Sequence, residues 1–526
     1  MTTITIVGMG ISGTASFCQV VNHLLSTESQ PESDITIHLF ESRVENFATG
    51  AAYRIDSPNI WTLNNPAKDF KFIPDTQPLN VWIAENLQNL RMQFPDMNEE
   101  YCPRAVVGHF LKAQYASHKS KAEFHRIKVV EHFEQVLEFD ALDADRWALK
   151  TETLHIESDF LFLCFGHVPA HHYPHLESKP GYYSVTSPLS AFDDIPSDAP
   201  VYILGGQASF VDYAVWLAVT KNHQGTMTSL TRNPSIITTK GNPDTCETAP
   251  LETLKQSLLT YTPCSLSFSS ARDSFWRSYS VAARDPVDPL AQPSTSVALT
   301  YQLAKYEKCA VLQESTPCGN IDELRAFVKA FYFNGAYEAF WTALSDEGKE
   351  SFNKLMYTQI MAYLTGITPV NTRLLLELFN SGRVIEKSGL TSVGYDEESQ
   401  EFLLHFATGE TEKTKYLIDT SGYSYDISYC STDLPLLQGA VAKGLLVPKP
   451  IGGIEINEAG QPKNRNGTVQ RSLFCIGPVA SFGDKYPTPH ASFLVFNASG
   501  KAATKLSDDL KMSSGASQSF SNCTPG

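Results

Sequence analysis

Several common features are missing from this sequence, and each absence narrows the reading. No run of about 18 consecutive apolar residues occurs, so no membrane-spanning helix is expected. Basic charge is in deficit: 41 Lys and Arg stand against 57 Asp and Glu, a formal charge of −16. Nucleic acid and anionic lipid both reward a basic face, so neither is expected as a partner. Ten cysteines are scattered without a single C-x-x-C pair. Cys18, Cys164 and Cys475 sit inside apolar runs and read as buried free thiols of a reducing, cytoplasmic compartment. There is no H-E-x-x-H, no P-loop, no G-x-S-x-G and no deaminase signature. The opening segment, Met1 to Val7, lacks a basic region and reads as a buried strand, not a signal peptide.

The chain has 526 residues, too many for one ordinary core, and three to four domains or two with insertions are expected. Its apolar content, 42%, suffices to bury cores without staples. The β-branched run Ile4–Val7 leads into Gly8-Met9-Gly10-Ile11-Ser12-Gly13, then a helical pattern over 14–25, then the strand-like run Ile35 to Phe40 closed by Glu41. This is a strand–turn–helix–strand unit with a G-x-G-x-x-G turn. Gly8 allows the tight turn, Gly10 admits a pyrophosphate to the backbone, and Gly13 lets helix and strand close up. The helix N-terminus offers free N–H groups to phosphate, and the Glu41 carboxylate suits a ribose diol. A dinucleotide site is the expectation.

Short helices are expected near 79–87 and 106–118, and a buried strand at 160–165 before Gly166. A second strand–turn–helix starts at Val201, with Gly205-Gly206 as its turn, a helix over 209–219 and a strand Met227–Thr231 beside Arg232. Residues 233–300, rich in Pro, Ser and Thr, read as irregular, and 301–383 as helical. Strands return after Gly382, another buried strand precedes Gly477, and a helix is expected over 490–507. From Ser513 the Ser/Gly-rich tail is expected to be disordered. No internal repeat shows beyond the two glycine turns.

Gly50-Ala51-Ala52-Tyr53, Leu63-Asn64-Asn65-Pro66-Ala67, Pro103-Arg104 with Gly108, and Phe165-Gly166-His167-Val168-Pro169 follow in order. Together they resemble a bacterial family of FAD/NAD(P)-binding proteins: two-dinucleotide-binding-domain flavoproteins similar to N-hydroxylating and class B flavin monooxygenases. The resemblance implies an α/β fold. A discontinuous Rossmann-like FAD-binding domain would carry an inserted NAD(P)-binding-like domain and a helical cap. The expected division is 1–198 (FAD domain, first part), 199–300 (NAD(P)-like, with the irregular insertion), 301–383 (cap), 384–512 (returning strands and the rest of the FAD domain) and 513–526 (tail). It implies that Gly8, Gly10, Ser12, Gly13 and Glu41 bind FAD. Asn64 and Arg104 would flank the flavin or its pyrophosphate, and Gly166 and Gly477 would end the strands that border it.

The second glycine motif departs from the pattern. Gln207 and Phe210 stand where the second and third glycines are expected. Ser209 remains as a cap or phosphate donor. Arg232 stands where a cation meets the 2′-phosphate of NADP, so NADPH is expected over NADH. His167, His171, His172 and His175 lie in a Pro-containing loop without a metal-ligand scheme, and no metal is expected. His167 is expected near the flavin. His490, after Pro489, is expected at a helix mouth facing the flavin, and Tyr423 and Tyr425 on the substrate side. The expected activity is an FAD-dependent, NAD(P)H-linked oxidoreductase, a monooxygenase N-hydroxylating a small amine or amino acid. The alternatives are a flavin oxidase or dehydrogenase reduced directly by its substrate, and a protein that holds FAD without catalysis. The sequence identifies neither the substrate nor the oligomeric state.

Overall fold

The structure, a computed structural model, describes residues 1–26, 34–143, 145–170, 172–233, 237–240, 248–283, 294–306, 321–427, 434–449, 452–480 and 492–520. It divides into two compact units. The first comprises Met1–Asn59, Pro66–Val168 and Tyr423–Gly526; the second comprises Ile60–Asn65 and Pro169–Gly422.

The first unit is built on a five-stranded parallel sheet. Its spatial order is Leu473–Cys475, Phe160–Leu163, Thr2–Val7, Ile35–Phe40 and Lys128–His132. The central strands are largely buried on both faces, as parallel sheets require. The helix Ile11–Ser26 packs on one face with the helices Arg104–Phe124 and Ser492–Phe520. The Gln19 amide donates to the Phe496 carbonyl at 3.0 Å and ties two of them together. Against the other face lies an antiparallel meander, Glu138–Ala141, Trp147–Lys150 and His155–Ser158. Its Phe139, Trp147 and Leu149 share a core with Phe40, Leu161, Leu163 and Leu473. The Trp147 indole donates to Ser472 Oγ at 2.9 Å, so the one polar atom of that buried ring is satisfied.

The second unit repeats this plan. Its parallel sheet runs Tyr182–Ser184, Leu417–Asp419, Val201–Leu204, Met227–Thr231 and Val384–Ser388. The helix Ala208–Val219 follows the central strand, and the meander Leu390–Asp396, Glu401–Phe406 and Thr411–Thr414 covers the opposite face. Strand for strand the two sheets correspond, with the meander in each entering between the edge strand and the strand that returns beside the centre. The duplication is one of topology; only the glycine turns betray it in the sequence.

The strands after Gly382 complete the sheet of the second unit. Val384–Ser388 pairs with Met227–Thr231, and Leu417–Asp419 with Val201–Leu204. The boundaries expected at 198 and 384 therefore differ from those observed, at 168 and 422. A strand's side-chain pattern states that it is buried but not which sheet it joins. Two helices, Ala249–Leu259 and Phe268–Ala282, lie in the stretch expected to be irregular. Phe268, Ala271, Phe275, Tyr279 and Ala282 are buried along one face of the latter, a helical spacing hidden by its serines. The last helix is continuous to Phe520, past Ser513 where a disordered tail was expected. Helix propagation is cheap once a packed segment has nucleated it. Among the described residues no helix is long and apolar enough to cross a membrane.

Candidate functional site: two glycine turns at the strand ends

In the first unit the glycines are required by contact. Gly8 has φ +89°, and a Cβ there would lie 2.3 Å from the Cys164 carbonyl oxygen. A Cβ on Gly13 would lie 2.0 Å from the Gly8 carbonyl oxygen. Both distances are impossible for a side chain, so turn and helix meet backbone to backbone. Gly10 does something else. A Cβ on it would lie 3.3 Å from the Cα of Gly50, itself at φ +69°. Two bare Cα atoms thus face each other, which leaves a cradle of backbone at the helix N-terminus.

Around this turn the structure gathers most of the residues expected there. Ser12 is buried, and a Cβ on Gly477 would meet its Oγ at 3.5 Å and the Gly166 nitrogen at 3.7 Å. Gly166 and Gly477 follow adjacent parallel strands, so both lie at the carboxyl edge of the sheet, where ligands bind in such folds. Glu41 ends the next strand but one. Its Oε2 accepts the Met9 N–H at 3.0 Å and its Oε1 accepts the Arg43 N–H at 3.2 Å. Burial raises its pKa from the ordinary value, and the N–H groups of Arg43, Met9 and Ser42 and the Arg43 charge pull it back.

Gly108 lets the helix Arg104–Phe124 approach the Ala51–Tyr53 turn: a Cβ there would lie 2.1 Å from the Tyr53 carbonyl oxygen. Arg104 opens that helix directly after Pro103, and its charge acts on the Tyr53 hydroxyl, which burial pushes above its ordinary pKa. The segments around Gly50 and Arg104 therefore adjoin the glycine turn. Gly50 carries the contact with Gly10, and its positive φ is the signal that marks it. His167 stacks on Tyr423, with ring centroids 4.2 Å apart and planes at 22°. Asn64 falls in the second unit, not the first. There Trp61 packs on Tyr213 and Trp216, and its indole donates to the Asp212 carbonyl at 2.9 Å. His490 and His171 lie outside the described residues.

The turn of the second unit matches the first in its hydrogen bonds. Gly8 N–H donates to the Phe40 carbonyl and Gly205 N–H to the Leu230 carbonyl, each at 2.9 Å. Cys164 N–H donates to the Val7 carbonyl and Thr420 N–H to the Leu204 carbonyl, at 2.8 and 2.9 Å. Gly205 has φ +120°, and a Cβ there would meet Thr420 Oγ1 at 2.7 Å. Gln207 takes the place of Gly10 as the N-cap of its helix, and Phe210, fully buried, takes the place of Gly13. The turn is kept, but the backbone cradle is not. Ser209 stands in the first turn of the helix in the place of Ser12. Arg232 is exposed beyond the end of the neighbouring strand, its carbonyl held by the Gly389 N–H at 3.2 Å.

The pattern of the first unit is that of a known family: residues 5–168 match the family model described as FAD-NAD(P)-binding. These residues supply much of the first unit. The bare Gly10–Gly50 cradle, the helix N-terminus behind it and Glu41 at the next strand end fit such a dinucleotide. No curated protein matches the chain in sequence. In fold the chain is similar to hydroxylases and monooxygenases of amino acids. The ornithine N-hydroxylase of Kutzneria sp. 744 is 10% identical, with a TM-score of 0.54 over 97% of this chain and 99% of that one. The ornithine hydroxylase of Pseudomonas aeruginosa is 11% identical, with a TM-score of 0.54 over 97% and 98%. The L-lysine 6-monooxygenase of Pseudomonas syringae is 12% identical, with a TM-score of 0.52 over 97% and 99%. At these identities the likeness is one of fold.

Proposed function

We propose that the protein is an FAD-dependent, NAD(P)H-linked oxidoreductase, a monooxygenase that N-hydroxylates a small amine or amino acid. The observation that carries this reading is the duplication. One chain holds two units of the same topology, each with a glycine turn at the carboxyl end of its central strand. Two dinucleotides, one for each unit, are what such a pair accommodates. In this reading Gly8, Gly10, Ser12, Gly13, Glu41, Gly166 and Gly477 hold FAD, with Arg104 beside it, while Gly205, Ser209 and Arg232 hold NADPH. Bound FAD would supply the two-electron redox chemistry. The chain's own groups bind, orient and exclude water. Helix N-terminal N–H groups take the phosphates, which an acidic chain of net charge −16 otherwise repels. The hydroxylases of similar fold act on ornithine and lysine by name, which points to an amine as the acceptor of oxygen.

The second glycine motif favours a second reading. With Gln207 and Phe210 in place of glycines, the second unit would hold nicotinamide weakly or not at all, and the substrate itself would reduce FAD. One experiment separates the two. The protein is reconstituted with FAD and mixed anaerobically with NADPH or NADH, and flavin absorbance is followed. Rapid bleaching by a nicotinamide, followed by amine-dependent hydroxylamine formation in air, supports the first reading. Bound flavin that no nicotinamide bleaches supports the second, and failure to bind flavin overturns both.

A further inference from the structure

Outside both glycine turns, the second unit holds a thiol and an amine within reach of each other. Lys349 Nζ donates to Cys264 Sγ at 3.2 Å and to Asp346 Oδ1 at 3.2 Å. The two side chains differ in their surroundings. Lys349 is only 8% exposed, its ammonium 5.9 Å from the centre of the Trp341 ring. A lysine is seldom buried this far unless its charge is paired. Cys264 is exposed, whereas the other described cysteines, Cys18, Cys102, Cys164 and Cys475, are buried. A small oxidant can therefore reach Cys264, and an amine stands beside its sulfur.

The backbone holds the pair in register. Cys264 lies in the loop between the helices Ala249–Leu259 and Phe268–Ala282, at φ +61°, a left-handed conformation that a residue with a side chain seldom adopts. Its N–H donates to the Thr342 carbonyl at 3.0 Å, and those of Ser265 and Leu266 donate to the Ala343 carbonyl at 3.1 and 2.8 Å. The Leu266 carbonyl accepts the Ser345 N–H at 2.9 Å, and Ser345 caps the helix Asp346–Leu355, one turn before Lys349. Such a backbone conformation persists where its surroundings over-determine it, and it recurs at functional positions. A lysine that merely buried its stem would leave its ammonium in water; this one ends on a thiol.

We propose that Cys264 and Lys349 form a modification site for peroxide, at which the amine captures the oxidised thiol as a covalent sulfur–nitrogen link. Hydrogen peroxide is the oxidant, and its O–O bond breaks. One oxygen becomes the hydroxyl of a Cys264 sulfenic acid, and the other leaves as water with the thiol proton. Sulfur is oxidised by two electrons and peroxide is reduced by two. The Lys349 ammonium then gives one proton to solvent, and the nitrogen lone pair attacks the sulfur. The sulfur–nitrogen bond forms as the sulfur–oxygen bond breaks, and the hydroxyl leaves as water with a second proton from the nitrogen. The product ties the loop to the helix Asp346–Leu355 across 85 positions of the chain. The site needs no flavin and stands apart from the reading of the glycine turns.

The test uses the purified full chain, treated with hydrogen peroxide, quenched with catalase, digested and mapped by mass spectrometry. The expected product is a joined pair of peptides holding Cys264 and Lys349, lighter by two hydrogen atoms than the separate peptides, and excess thiol should part it. Lys349→Arg keeps the charge but lacks the amine. Its Cys264 should accumulate as sulfenic acid and label with dimedone severalfold more than in the parent. Thermal melting before treatment is the fold control for the variant, and the peptide map of the parent needs no variant. Cys264 recovered as sulfenic or sulfinic acid without the joined peptide overturns the proposal. A link from Cys264 to any other residue overturns it as well, as does equal dimedone labelling of the parent and a folded Lys349→Arg chain.

Discussion

The carboxylate of Glu41 reaches across the mouth of the glycine turn to the backbone of Met9, 3.0 Å from its nitrogen. The strand end and the turn are thereby fixed to each other before any ligand arrives, and the acid that suits a ribose diol is already in place. Burial raises the folded-state pKa of Glu41. The fold then binds this proton more tightly than the unfolded chain does, so the contribution is favourable at low pH and is lost as pH rises through the folded pKa. Glu41→Gln removes that loss and keeps an acceptor for Met9. The FAD-free variant is expected to gain in melting temperature relative to the parent as pH rises from the acid range to neutrality. Its FAD affinity should fall, by titration, because a neutral amide accepts less strongly from hydroxyls. A variant that binds FAD as well as the parent would remove Glu41 from the site.

Two glycines of the first turn separate structure from binding. Gly13→Ala puts a carbon 2.0 Å from the Gly8 carbonyl oxygen and should prevent the helix from docking, with loss of soluble, cooperatively melting protein. Gly10→Ala needs a shift of only a few tenths of an ångström against Gly50, so the protein should fold. Its methyl group, however, occupies the approach of the diphosphate, and FAD affinity should drop about tenfold or more. Equal affinity in Gly10→Ala, measured by fluorescence titration, would place the diphosphate elsewhere.

In the second unit the corresponding position is filled. Phe210 is fully buried in a core that includes Ile203, Trp216 and Leu375. Phe210→Ala should destabilise the protein by about 3–5 kcal/mol, as a large buried aromatic does when truncated. Chemical denaturation checks this.

Arg232 is exposed and should be dispensable for folding. Arg232→Ala is expected to raise the NADPH concentration for half-maximal flavin reduction while leaving that for NADH nearly unchanged. Stopped-flow reduction with both nucleotides measures the ratio; an unchanged preference removes Arg232 as the 2′-phosphate partner.

A pair of histidines supplies a second pH dependence. His38 Nδ1 and His132 Nε2 are 2.8 Å apart, and the His132 ring also stacks on Phe40. Burial and the neighbouring His132 push the pKa of His38 down to about 4, and burial lowers that of His132. The unfolded chain takes up these protons first, so stability present above the usual histidine range, near 6.5, is lost as pH falls toward about 4. His38→Gln should flatten the fall in melting temperature across that window.

Much of the first site was legible because its chemistry is local. The strand, turn, helix and Glu41 lie within 41 consecutive residues; Gly13 is forced by a contact inside that span and Gly8 by the end of the neighbouring strand, while Gly10 faces Gly50 a short way beyond it. The helix Ile321–Phe333, inside the stretch expected to be helical, was legible for the same reason, since its periodicity is complete in itself. Sheet membership was not, because Val384–Ser388 and Leu417–Asp419 are assigned by partners more than 150 residues away.

The path of the chain through the first unit sets the order in which its site is assembled during synthesis. Gly8, Glu41 and Gly166 emerge early, yet Gly477, which closes the cradle against Ser12, emerges roughly 300 residues later, on the order of 15–60 s at typical translation rates. Throughout that interval the strand Phe160–Leu163 lacks its neighbour Leu473–Cys475, and an apolar sheet edge stays open while the entire second unit is made. The nascent chain must keep that edge from pairing with anything else, and FAD cannot help close it until the last strand arrives.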